Sequence, residues 1–261
     1  MKTFSRLRLT SRLRRLLAIS MMAAAPLAQA GLRETSVALD AVYIPALSLT
    51  SAAQADPGVA DKARKAVAAL ETRWQALMPG LRQELAGAGG ARAEAARKTV
   101  EGVHRHIQSG ARAVAAGQFK AAHEALEEVR VDLLQARRAV GLDYFVDRLT
   151  AFHEPMEVLA LAGTQLKPGQ LTPVERARLE QAYVHARALW HQIEAHRPDL
   201  AAHGLTEGRA AQFMAGMAAE TDALMRLSDA LRGADAAALL RAASAIKPPF
   251  AKVFTAFGQA S

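Results

Sequence analysis

The sequence predicts an all-α protein, and three observations carry that prediction. Apolar residues recur at helical spacing, as in Val67, Leu70, Trp74 and Leu77 and again in Val100, Val103, Ile107 and Val114. Alanine, leucine, arginine and glutamate dominate, while the alternation of β-branched residues that marks strands is nearly absent. Glycine and proline cluster at "ADPG" (Ala55 to Gly58), "AGAGG" (Ala86 to Gly90), "KPGQLTP" (Lys167 to Pro173) and "RPDLAAHG" (Arg197 to Gly204), where they end helices. The expected architecture is two tandem antiparallel four-helix-bundle-like repeats after a cleaved signal peptide.

The leader comes first. "MKTFSRLRLTSRLRRLLAISMMAAAPLAQA" has a basic start, an apolar stretch from Leu16 to Leu27, and small residues at Ala28 and Ala30, the pattern of a secretory signal with an A-x-A cleavage site. The apolar stretch is shorter than the roughly 20 residues a spanning helix needs. Residues 1–30 are therefore read as a signal peptide, residues 31–141 as the first helical repeat and residues 142–261 as the second. The expected location is a bacterial periplasm, and the expected protein is not an integral membrane protein.

Removing the leader changes the charge balance. Six of the 33 basic residues and none of the 25 acidic ones lie in it, so 27 basic and 25 acidic residues remain, a net of +2. A chain so nearly neutral offers no electrostatic case for binding nucleic acid. The absence of cysteine excludes disulfides, thiolate metal sites and c-type haem attachment.

Each expected helix has its own warrant. The first repeat is read as helices at roughly 37–54, 58–85, 91–116 and 118–140, and the second as helices at 143–163, 172–197, 206–231 and 234–257. Thr172 before Pro173 makes an N-cap with proline at the first helical position. At "AVGLDYF", Gly141 can serve as a C-cap and Asp143 as the next N-cap, which makes a tight hairpin or domain boundary and is the favoured reading; the alternative is one continuous, distorted helix through Gly141, at a cost of about 1 kcal/mol for the glycine. Pro248 and Pro249 break the last helix and leave Phe250, Phe254 and Phe257 along one face of a short new one. Closing the core is the favoured reading of those three rings, and an exposed partner-binding face is the alternative. The repeat rests on landmarks: Trp74 and Trp190 are 116 residues apart, as are Gly117 and Gly233.

The candidate site is built around "AFHEPMEVLALAG", Ala151 to Gly163. His153 and Glu157 lie four apart and point the same way from a helix, beside an apolar stripe. Pro155 cannot donate to the carbonyl of Ala151 and either kinks the helix there or starts a helix at Glu154. A similar order, "HEALEE" from His123 to Glu128, precedes it. If Gly141 reverses the chain, Glu127 comes within reach of His153 and Glu157, and His185 approaches from the next helix. Nitrogen and oxygen donors at this spacing begin metal sites in bundles, so His153, Glu157, Glu127, His185 and His123 are the candidate ligands for a divalent transition metal. The competing reading is a set of salt-bridged faces, with Glu124 paired to Lys120 and Glu127 to Arg130.

No motif for catalysis is present: the chain lacks HExxH, GxSxG, a P-loop and a glycine-rich dinucleotide turn. The functional expectation is an exported protein that acts by binding, with no enzymatic step. It binds a divalent metal or small ligand near the junction of the halves; the alternative is a protein-interaction or scaffold module.

Overall fold

The computed structural model of the chain describes residues 11–196 and 198–258, with side chains from Ala30 onward. Among these residues every regular element is helical. The long helices are α1 (Ser11–Ala52), α2 (Ala60–Ala88), α3 (Gly90–Ala115), α4 (Phe119–Val140), α5 (Phe145–Gln165), α6 (Pro173–Ala195) and α7 (Glu207–Arg232), followed by the shorter α8 (Ala236–Ser244) and α9 (Lys247–Thr255). Short 3-10 turns precede α2 and α6. No described helix is long and apolar enough to cross a membrane.

The first four helices pack in a ring, α1 on α2, α2 on α3, α3 on α4 and α4 back on α1. Adjacent helices run antiparallel. Along α1 and α4, Ser36 meets Arg137, Tyr43 meets Leu126 and Leu47 meets His123, so one number rises as the other falls. The remaining helices form a second ring, in which α5 touches α6, α6 touches α7, and α8 with α9 closes the gap between α7 and α5. One continuous core runs through both rings, from Leu32 and Trp74 to Trp190 and Phe257.

Gly141 reverses the chain between the rings. It sits in the left-handed region at φ 74° and ψ 25°, where a side chain would clash with its own backbone. Its N–H bonds the carbonyl of Arg138, and the N–H of Leu142 bonds that of Arg137, closing α4 with the paired bonds of a Schellman motif. The expected hairpin is therefore present, but Asp143 does not cap the helix after it. Tyr144 occupies the N-cap position without a side-chain bond to the helix end, and Asp143 instead pairs with Arg148.

Two further expectations are corrected. Pro155 does not begin a helix, because α5 starts at Phe145 and carries Pro155 buried in its interior. The last helix breaks as expected, but around Ala245 and Ile246 and not at Pro248 and Pro249, which fall in the first turn of α9, where their missing N–H groups cost nothing. Phe250, Phe254 and Phe257 are all buried. Phe250 meets Phe152 at 5.3 Å between ring centres, and Phe257 meets Phe145 and Phe213 at 5.8 and 5.6 Å, so these rings close the core.

α1 runs unbroken through the expected cleavage point, and Gly31 and Leu32 beyond it are buried. The basic start of the expected leader, residues 1–10, lies outside the described residues.

Candidate functional site

The antiparallel α4–α5 hairpin brings His153 against Arg130. The guanidinium Nη2 donates to Nδ1 of His153 at 2.8 Å. Because an arginine only donates, Nδ1 is the bare nitrogen and the ring hydrogen of the neutral form sits on Nε2. Burial, with the positive charges of Arg130, Lys247 and His123 behind it, pushes the His153 imidazole down to about 3. The ring is therefore neutral at physiological pH. Its Nε2 lies 3.9 Å from Oε2 of Glu157, one turn further along α5, and Lys247 at the head of α9 donates to the other oxygen, Oε1, at 2.9 Å.

Arg130 also pairs with Glu127 on its own helix. Glu127 in turn lies 3.5 Å from Nε2 of His123, whose Nδ1 donates to the Leu47 carbonyl at 3.2 Å. The result is a row from α1 to α9 through His123, Glu127, Arg130, His153, Glu157 and Lys247. Four of the five sequence-predicted site residues belong to it. The fifth, His185 on α6, is exposed and faces the same cleft as His153 and Glu157.

Two cations of the chain itself already hold the row. Arg130 occupies the second nitrogen of His153, and Lys247 takes one oxygen of Glu157. Among the described residues, no group of three or more His, Cys, Asp or Glu side chains is placed to hold a metal ion. The pairing expected of an ordinary salt-bridged face is present at Glu127 and Arg130, yet it is not a solvated one: the two side chains are only 22% and 12% exposed.

A cleft of about 690 Å3 opens beside the row, between α4, α5 and α6. One wall is apolar, made by Val131, Leu134, Val158, Leu161 and Leu189; the polar side carries Arg130, Arg138, His153, Glu157 and His185. Val131 and Leu161 are 41% and 43% exposed. At the polar edge, Oε2 of Glu157 is buried with no hydrogen-bond partner. Arg138 is exposed and makes no ion pair among the described residues. A cleft of this size with an apolar wall and a few directed polar groups is the usual form of a small-molecule site. Chemically it offers a neutral imidazole, a carboxylate oxygen in need of a donor and a free guanidinium.

A second polar cluster, not among the candidate residues of the sequence, lies one turn from the Gly141 reversal. Arg137 is 2% exposed. Both Nε and Nη2 bond the carboxylate of Asp147, Nη1 donates to the Ser36 hydroxyl at 3.0 Å, and the guanidinium lies 4.5 Å over the Tyr144 ring. Tyr144 donates to Asp40 at 2.6 Å. Burial pushes the Asp40 carboxyl up to about 6, against the opposing pull of Arg137 and the Tyr144 hydroxyl. Burial likewise opposes the charge of Arg137, but Asp147, with Asp40 and Tyr144 beside it, outweighs burial and holds the guanidinium above its ordinary value. A signal existed: Ser36 and Asp40 fall in the inward stripe of Leu32, Leu39, Tyr43 and Leu47, and Arg137 lies between Leu133 and Val140 in that of α4. Polar residues in an apolar stripe are the mark of a buried network.

Glu220 on α7 is a further buried acid outside the candidate residues of the sequence. It is fully buried, and neither carboxyl oxygen completes a hydrogen bond within the protein. Burial pushes it up to about 8, against a smaller pull from the Phe250 amide, so the group is a neutral acid at pH 7.

Compared with protein-family models, curated proteins and solved structures, the chain matches none.

Proposed function

We propose that this chain is an exported helical-bundle protein that binds a small, largely apolar molecule in the cleft between α4, α5 and α6, with a hydrogen-bond donor of that molecule directed at Glu157. The observation that carries this reading is the unpartnered Oε2 of Glu157 at the edge of an apolar wall. A buried acceptor left without a partner costs about 1–3 kcal/mol, and more when charged. A ligand N–H or O–H removes that cost, while the exposed Val131 and Leu161 gain cover. Arg138 supplies a second polar anchor. A divalent metal suits the row less well, since Arg130 and Lys247 place two positive charges around His153 and Glu157.

Export is supported by the basic leader and the Ala28/Ala30 site. A chain starting at Gly31 keeps the buried face of α1 from Leu32 onward. Duplication is supported by the two rings and by their tryptophans: Trp74 on α2 donates its indole N–H to His104 on α3, and Trp190 on α6 donates to Thr221 on α7. The partner lies thirty residues on in one case and thirty-one in the other.

N-phenyl-1-naphthylamine has an apolar body and one N–H donor and fluoresces when its surroundings become apolar. Titrated into the full chain, it is expected to give a saturable signal at one molecule per chain. Leu161→Glu, which places a charge in the cleft wall at a half-exposed position, is expected to remove that signal while leaving the helical circular dichroism intact. Equal binding by the parent and Leu161→Glu proteins overturns the proposal.

A further inference from the structure

The cleft between α4, α5 and α6 continues toward the Gly141 reversal as a smaller one of about 190 Å3. The two share Arg138, Ala151 and Leu189 in their linings, one residue from each of the three helices. The shared residues are the waist of a single groove. On either side of it the lining follows helical spacing. Along α5 it passes from Asp147 and Arg148 through Ala151 and Glu154 to Val158 and Leu161, and along α6 from Gln192 through Leu189 to His185. Steps of three or four residues keep to one face of each helix, so the groove runs along α5. Glu157 lies nine residues beyond Arg148, about 13 Å at the helical rise.

The two ends differ in chemistry. Glu157 presents an acceptor in need of a donor, whereas the end near Gly141 presents donors in need of an acceptor. Arg138, which lines both clefts, is exposed and makes no ion pair among the described residues. Arg148 reaches Asp143 and His196 through Nη2, while its Nε is buried and bonds nothing in the protein. Two carboxylates also line this end, but both are already engaged: Asp147 by Arg137, and Asp143 by Arg148 and His196. That leaves Arg138 and the Nε of Arg148 as donors without an acceptor. A carboxylate is the group whose two oxygens match such guanidinium donors. Between the two ends the walls are apolar, with Leu134, Val158 and Leu189, which suits an aliphatic chain and gives a charged or strongly polar body nothing to bond.

We propose that the groove takes a long-chain aliphatic hydroxy acid, its carboxylate held by Arg138 and Arg148 and its distal hydroxyl donating to Glu157. This assignment rests on the reading of the larger cleft as a site for an apolar ligand and names the class of that ligand. The test is calorimetric titration of the full chain with 12-hydroxydodecanoate and, separately, with its methyl ester, which keeps the chain and the hydroxyl but loses the charge. One molecule of the acid per chain is expected, bound about tenfold or more tightly than the ester, as befits hydrogen bonds to a charged group. Arg138→Gln, at an exposed and unpaired position, is expected to bring the ratio of the two affinities down toward one. Arg148→Gln, checked for folding by circular dichroism, is expected to do the same from the other anchor. The proposal is overturned if the parent binds acid and ester alike, or if both glutamine variants keep the parent's ratio. It is equally overturned if acetate binds as tightly as the long acid, which would make the small cleft a separate seat for simple anions. Acid and ester binding alike, with the N-phenyl-1-naphthylamine signal still saturable, removes only the anionic end. Absence of binding by both the acid and the naphthylamine removes the apolar site together with it.

Discussion

Arg130 and Arg137 stand two turns apart on one face of α4, and each reaches across to α5, but they end in different surroundings. Arg137 finds Asp147, Ser36 and the Tyr144 ring, and Tyr144 hands on to Asp40. Tyr144 and Asp147 line a small cleft of about 190 Å3, but no buried polar atom of the set is left without a partner. Arg130 finds Glu127 and His153, and the chain of contacts beyond it ends on Glu157 with one oxygen unpaired beside an apolar cleft. A closed polar network in a core fixes how three helices meet. An open one of similar composition leaves a directed group for something else to satisfy. The difference separates residues that hold the fold from residues available to a ligand.

Breaking the closed network is expected to have the largest effect on stability. Arg137→Met strands Asp147 and Asp40 without their cation, and removing one partner of a buried pair costs about 3–5 kcal/mol. Urea denaturation at pH 7 checks this.

Glu220 sharpens the comparison, since it is a buried acid with no arginine at all. Its folded value near 8 lies above the ordinary 4.5, so the folded chain holds a proton that the unfolded chain releases. Stability from this group is complete below about pH 4.5 and is lost as pH rises toward 8. Glu220→Gln removes that dependence. Its stability relative to the parent is expected to increase by about 1.4 kcal/mol per pH unit between pH 5 and pH 8, read from denaturation curves at both ends. A constant difference across that range would contradict the assignment of a neutral buried acid.

Tyr144→Phe is expected to cost less. It removes only the 2.6 Å bond to Asp40, and hydrogen bonds to charged groups are worth about 1.5–3 kcal/mol. Thermal denaturation at pH 7.5, above the Asp40 value near 6, measures it.

Much of this contrast follows from what a sequence can carry. The ends of α2 through α7 fall close to the breaks that glycine and proline mark, because those residues act locally. The reversal at Gly141 was readable for the same reason, and with it the approach of Glu127 to His153. The Asp143 cap failed because Arg148 offered its carboxylate a better partner than the helix end did. The closed network escaped notice because Ser36 and Arg137 are 101 residues apart and Tyr144 and Asp40 are 104 apart. Periodicity places such residues in an inward stripe without naming the partner across the core. Arg130 was legible as a partner for Glu127, but its hold on His153 depends on how closely α4 and α5 approach. That hold turned a candidate ligand set into a salt-bridged row beside a cleft.

The central claim is that Glu157 serves a ligand and Arg137 serves the fold. Its most direct test is the affinity of N-phenyl-1-naphthylamine for Glu157→Leu, measured beside the parent protein. Glu157 is partly exposed and its pair with Lys247 is a surface one, so the variant is expected to keep its stability within about 1 kcal/mol. Losing an acceptor that is a charged group should weaken binding about tenfold or more. Unchanged affinity in a folded Glu157→Leu protein would contradict the claim, and the row would then stand as a structural network like the one around Arg137.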